Sequence, residues 1–167
     1  MEEATMSANI KTRFLMVSDT HGLDSLPGSV SYQYADAAIH CGDVTTNSTI
    51  DEYKASIRLL QAMNAPLKLV IAGNHDFTMY IPEFQRKVAE VQPPLDPREV
   101  EQTYGSYVET KRLLSEDTGI TFLDEGTHFF TSRMVYASPY TPSLGDWGFQ
   151  YRPNNAHDFS IGDVDSW

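Results

Sequence analysis

Asp19, His21, Asp43, Asn74, His75 and Asp76 are the residues whose types and spacing could do chemistry, and each follows a short apolar run. Leu15 to Ser18 runs into Asp19-Thr20-His21-Gly22. Ala37 to His40 runs into Cys41-Gly42-Asp43, and Leu69 to Ala72 into Gly73-Asn74-His75-Asp76. Carboxylate, imidazole and amide oxygen make a mixed N/O donor set without thiolate. Such a set suits a catalytic divalent or redox metal better than a structural zinc finger. Alternate residues of an extended segment share a face, so Asp19 and His21 are expected side by side. Asp43, at a glycine-flanked turn between the other two blocks, suits a bridge between two ions. His40 reads as a packed or hydrogen-bonded support, and Cys41 as a small buried filler with no base placed for it.

The elements that must position these groups follow from the period of the apolar residues. Thr12 to Ser18, Asp36 to His40 and Leu67 to Ala72 are short and dense in apolar residues, as buried strands are. Between the second and third, Ile50, Tyr53, Ile57, Leu60 and Met63 recur at helical spacing. Thr49 with Glu52 fits a capping box, and Asn64-Ala65-Pro66 ends the run. Strand, helix, strand makes a βαβ unit with parallel neighbours and a right-handed crossover. Sites in such sheets form at the carboxyl ends of the strands. Downstream, Ile81 to Val91 predicts a short helix with Pro82 in its first turn. Asp96, Pro97 and Glu99 then open a longer helix carrying Val100, Tyr104, Tyr107, Val108 and Leu114, ended by Gly119. Ile120 to Leu123, Thr127 to Thr131 and Met134 to Ala137 read as short strands, the last two as a hairpin. Ser138 to Trp147 is an aromatic, proline-rich loop. Phe149 to Tyr151 is a strand fragment. Residues 1–11 are expected to be a frayed tail, and 12–167 one domain.

The 167 residues hold 41% apolar side chains, enough for a single domain with a core. Acidic residues outnumber basic ones 23 to 12, a formal net charge of -11, which argues against nucleic acid as a partner. A bound cation could still invert that charge locally for a small phosphorylated substrate. One cysteine leaves no internal disulfide framework. There is no apolar signal-like run at the start and no run long enough to span a membrane, so a soluble cytoplasmic protein is expected.

The order D-x-H, then G-D, then G-N-H-D, each after an apolar strand, resembles the calcineurin-like metallophosphoesterases. Tyr136 to Pro142 and Asp146 to Phe149 resemble the metallophosphoesterase-domain-containing branch. The resemblance covers Thr12 to the end, most thinly between Met79 and Gly119. It implies an α/β fold, a sandwich of two mixed β-sheets flanked by helices. It also implies two divalent ions, of manganese, iron, zinc or magnesium. Asp19 and His21 would bind the first ion, Asp43 would bridge, and Asn74 would bind the second. His75 would act at the leaving oxygen, its ring oriented by Asp76. Two such ions clamp the phosphoryl oxygens and lower the pKa of a bridging water. The substrate would be a phosphomonoester or phosphodiester, by analogy a nucleotide.

The family pattern continues with a lone histidine and then G-H-x-H, which this sequence lacks. His128 sits inside a predicted strand, and His157 in a polar loop ahead of Asp163-Val164-Asp165, which reads as the opening of the next strand. The chain is thus expected to hold the first two-thirds of the family's domain. It is expected to have open sheet edges, exposed apolar surface, a weakened second metal site and low turnover. The alternative is a non-catalytic binding or scaffold protein with a partial metal site. Trp147, Tyr140 and Phe149 are read either as pocket lining or as plain packing.

Overall fold

The computed structural model describes residues 11–106, 108–116, 118–130, 133–143 and 145–159. Residues 1–10 of the expected N-terminal tail, Tyr107 and the strand expected to open at Asp163 to Asp165 lie outside the described residues. Strand β1 (Phe14–Val17) leads through a helical turn, α1 (Gly28–Ser31), to β2 (Ala37–His40). Helix α2 (Ile50–Ala62) crosses to β3 (Leu67–Val70). A 3-10 turn at Phe77–Met79 precedes α3 (Ile81–Glu90), α4 (Pro97–Tyr104) and α5 (Glu109–Ser115). Then follow β4 (Thr121–Phe122), β5 (Gly126–Phe130), β6 (Arg133–Ala137), β7 (Thr141–Pro142) and β8 (Gln150–Tyr151).

Strands β1 to β4 form one sheet in chain order, parallel throughout. The register sets Phe14 opposite Ala37 and Ala37 opposite Leu67, so the three strands end level with one another. Helix α2 begins as its sequence dictates. The Thr49 side chain accepts from Glu52 N–H while the Glu52 carboxylate accepts from Thr49 N–H. Its buried face carries Tyr53, Leu59 and Leu60, which pack with Ala38, Val70, Leu114 and Ile120 on one side of the sheet. The antiparallel β5–β6 hairpin covers the other side, where Phe130 and Ala137 meet Leu69, Leu123 and Ile39. The result is three layers: helices, parallel sheet, hairpin. Among the described residues β1 is an edge strand, and it presents Phe14 and Met16 to solvent at 47% and 68% exposure.

The long helix expected after Asp96 is two helices. Gly105 adopts φ 74°, in the left-handed region that a β-carbon disfavours, and its N–H closes on the Glu101 carbonyl at 2.8 Å. The helical spacing of Tyr104 and Val108 therefore belongs to two separate segments, with a turn between them. No described helix is long and apolar enough to cross a membrane.

Candidate metal centre

The three strand ends deliver their groups to one place. One donor atom each from Asp19, His21 and Asp43 lies within 4.8 Å of the other two. Asp19 and Asp43 line a cleft of about 230 Å³ together with Asn74, Gly73, Ser138 and Pro139 of the loop after β6, and Thr141 at the start of β7. All four sequence-predicted metal ligands thus meet at this cleft or at the cluster on its wall.

The local route differs from the expected one. Asp19 and His21 do not sit on an extended segment. Both have left-handed backbones, at φ 55° and 47°, as does Asp43 at 52°. Each such residue costs on the order of 1–2 kcal/mol, so surrounding structure must impose it. Here the main chain does so. Asp19 N–H donates to the Gly42 carbonyl, His21 N–H to the Asp43 carbonyl, and Gly22 N–H to the Val44 carbonyl, at 3.1, 3.1 and 2.8 Å. The first and second loops are therefore zipped together. Asp43 ties in the third, because its Oδ1 accepts from His75 N–H at 2.9 Å. Gly73 allows that approach: a β-carbon there would stand 2.3 Å from both Asp43 N and Asp43 Oδ1.

Two consecutive carbonyls set both imidazoles. His21 Nδ1 donates to the Thr45 carbonyl at 3.1 Å, and His75 Nδ1 to the Thr46 carbonyl at 2.8 Å. A carbonyl accepts only, so Nδ1 carries the proton in each ring. Nε2 is then the nitrogen left for a cation or a substrate. The rings meet edge to face, 4.9 Å between centroids.

Asp76 does not orient the His75 ring, contrary to the expectation. Its carboxylate is fully buried and accepts from Val44 N–H, Thr45 N–H, the Thr45 hydroxyl and Gly73 N–H. Burial pushes its pKa up to about 6 against the pull of those donors at Thr45, Gly73 and Val44. Asp76 thus braces the 44–46 segment whose carbonyls hold the imidazoles, one step removed from the ring. Helical turn geometry explains the miss. The chain enters the Phe77–Met79 turn directly after Asp76, which swings its side chain inward.

His40 is the support it was expected to be. It is fully buried, and its Nε2 shares a 2.9 Å hydrogen bond with the hydroxyl of buried Thr20, between Asp19 and His21. Desolvation lowers its pKa to about 4, opposed by the Asp19 charge. Cys41 is exposed, not buried. Residues alternate along a strand, so the neighbour of inward His40 points out, toward the cleft. His128, bonded through Nε2 to the Asp124 carbonyl, is a satisfied strand residue. His157 pairs with Glu125 at 2.5 Å and stacks on Tyr140. Among the described residues, neither histidine joins the Asp19–His21–Asp43 group.

The three weighed aromatics divide. Tyr140 and Phe149 pack on each other and on Tyr80. Trp147 instead lies on the His75 ring, 4.1 Å between centroids at 31°. The carbonyls of Thr45 and Thr46 were missed altogether, since a main-chain acceptor leaves no mark in residue type.

This geometry agrees with comparison to known proteins. The family profile of the calcineurin-like phosphoesterases matches residues 12–167. The chain belongs to that family. It is 30% identical over 138 residues to metallophosphoesterase domain-containing protein 1 of human and of mouse, covering 83% of this chain and 40% of each relative. It is also 27% identical over 145 residues to an Emericella nidulans protein named "Probable rhamnogalacturonate lyase C", covering 83% of this chain and 11% of that protein. The chain therefore spans well under half the length of these relatives.

The donor chemistry fits the family's dependence on metal. Two carboxylates and an imidazole nitrogen form a compact N/O set suited to a divalent first-row ion. Asp19, His21 and Asp43 would hold such an ion.

Proposed function

We propose that the chain is a metal-dependent phosphoesterase that hydrolyses a small phosphomonoester or phosphodiester. The convergence of Asp19, His21 and Asp43 donors within 4.8 Å, with His75 packed against His21, carries this reading. Asp19, His21 and Asp43 would hold one divalent ion, and Asp43 with Asn74 a second. Manganese is the ion proposed, and a nucleotide the substrate class. Two ions bound there would neutralise phosphoryl charge and supply a nucleophile at neutral pH.

The chain's own residues do the rest. Asp43 has one carboxylate oxygen engaged by His75 N–H, which sets the angle at which it faces the cleft. His75, in the doubly protonated form and with Nδ1–H held by the Thr46 carbonyl, would give its Nε2 proton to the departing oxygen and be left as the neutral Nδ1–H ring. Asp76 would act through the 44–46 segment and touch no substrate. The net charge of -11 favours a small substrate over a long polyanion. The cytoplasm is the proposed setting, in keeping with a single cysteine and no internal disulfide.

Calorimetry with Mn²⁺, followed by release of 4-nitrophenol from its phosphate esters, tests the reading. One site with a weaker second, and low but measurable turnover, are expected, with Asp43→Asn weakening Mn²⁺ binding by roughly 100-fold. One weak site and no turnover would instead mark a binding protein with a partial metal site.

A further inference from the structure

The segment 145–149, which leads into β8, is held in an unusual way. Strands β7 and β8 run parallel, with Thr141 opposite Gln150 and Pro142 opposite Tyr151, so the loop between them must make a full circuit. Two bonds close its base, Thr141 N–H to the Phe149 carbonyl and Ser143 N–H to the Tyr151 carbonyl, both 3.0 Å. Its far side is pinned three times. Gly148 N–H donates to the Asn74 carbonyl at 3.0 Å, Asp146 pairs with Arg86, and the Asp146 carbonyl accepts from Lys87 Nζ at 2.6 Å. Between these pins Trp147 is not turned into the core. It stays 37% exposed, against the imidazole of His75, with the Lys87 ammonium 5.0 Å from its ring centroid.

Burial alone does not account for this placement. At 37% exposure the indole has lost most of its surface to contacts, but that burial does not dictate that its face be laid on a polar ring. Its effect on His75 is more specific. A ring fixed by one hydrogen bond, Nδ1 to the Thr46 carbonyl, can still rock about that bond. Contact with an aromatic plane on its face removes that freedom, and the edge-on His21 ring limits it from another side. The Gly148–Asn74 bond couples the loop directly to the strand end that carries His75.

We propose that Trp147 is a positioning residue that holds the His75 imidazole in the orientation from which Nε2 meets the departing oxygen. It acts through His75 and not on the substrate. The proposal rests on the reading of His75 as the leaving-group acid, and goes beyond it by naming what aims the ring.

Two measurements on the full chain test it. Protons lying on the face of an indole resonate upfield. The His75 Cε1 proton, assigned by its loss in His75→Gln, is expected upfield in the natural protein, less so in Trp147→Phe, and at an ordinary position in Trp147→Leu. An ordinary position in the natural protein overturns the contact and the proposal with it. The second measurement compares an alkyl phosphate ester, which needs a proton on its leaving group, with the 4-nitrophenyl ester, which does not, both with Mn²⁺. Trp147→Leu is expected to lower kcat on the alkyl ester about 10-fold while leaving the 4-nitrophenyl ester and both KM values within ~2-fold. Trp147→Phe should restore most of the loss. An equal loss on both esters, or none on either, overturns the positioning role. A natural chain that turns over neither ester sinks the reading of His75 as an acid, while the proton resonance still reports the contact.

Discussion

The His75 ring is approached by two regions that hold it in opposite ways. On one side, the ends of β1, β2 and β3 form a cradle of main chain. Left-handed turns at Asp19, His21 and Asp43 are locked by inter-loop backbone bonds, and carbonyls of Thr45 and Thr46 grip the imidazoles. On the other side, the segment 145–149 is pinned by the side chains of Arg86 and Lys87, and touches His75 through one indole. The cradle rests on main-chain bonds, on the buried Asp76 carboxylate and Asp43 Oδ1, and on the close approach that Gly73 permits. The loop depends on named side chains and on charges open to solvent. The first kind of scaffold stores strain and releases little motion. The second can be loosened without unfolding anything.

The largest break should come from the cradle. Gly73→Ala puts a β-carbon 2.3 Å from Asp43 N and Oδ1, forcing the second and third loops apart. A loss of roughly 4 kcal/mol and a fall in Tm of about 10 °C are expected in thermal unfolding. An unchanged Tm would show that the loops have room to spare.

Next is pH. His40 has its pKa lowered from 6.5 to about 4 by burial, so its contribution to stability is complete above pH 6.5. As pH falls from 6.5 toward 4, the unfolded chain takes up a proton that the native state refuses, and stability drops. The loss should total roughly 3 kcal/mol by pH 4 in urea unfolding, relative to His40→Gln. Asp76, raised to about 6 mainly by burial, has the opposite slope, but it is present in both chains and cancels in the difference. Parallel pH curves for the two chains would remove His40 from the account.

The smallest effect on stability should come from the loop. Asp146 is 74% exposed where it pairs with Arg86, and such pairs contribute under about 1 kcal/mol. Asp146→Ala, which leaves the Arg86–Glu83 pair in place, is expected to leave the Tm within ~2 °C while weakening the Trp147–His75 contact, read from the same His75 resonance. A large Tm loss would mean that the loop is part of the core framework, and would erase the contrast drawn above.

Much of this architecture was legible before any coordinates. The apolar runs at Leu15, Ala37 and Leu69 became β1, β2 and β3, and Thr49 with Glu52 capped α2 where their spacing said. The hairpin of β5 and β6 also stands where it was expected. The failures share a cause. Asp19-x-His21 was read with the period of a strand, but the strand ends at Val17 and the turn beyond it is left-handed. Val100 to Leu114 was read as one helix because periodicity survives a break when the next segment resumes in phase. Gly105 carried the break.

The sequence by itself determined which groups could bind a cation, and that three strand ends would bring them together. Residue type and period are local properties, and a parallel sheet lines up its carboxyl ends whatever the loops do. Only the tertiary structure decided how those groups are aimed. Asp76 turned out to brace Thr45 rather than His75, main-chain carbonyls fix both imidazole tautomers, and Trp147 reaches His75 from 72 positions away in the chain. A carbonyl carries no side-chain signature, and a contact between distant loops depends on the closure of the whole fold. Neither could be written in the spacing of the residues that do the chemistry.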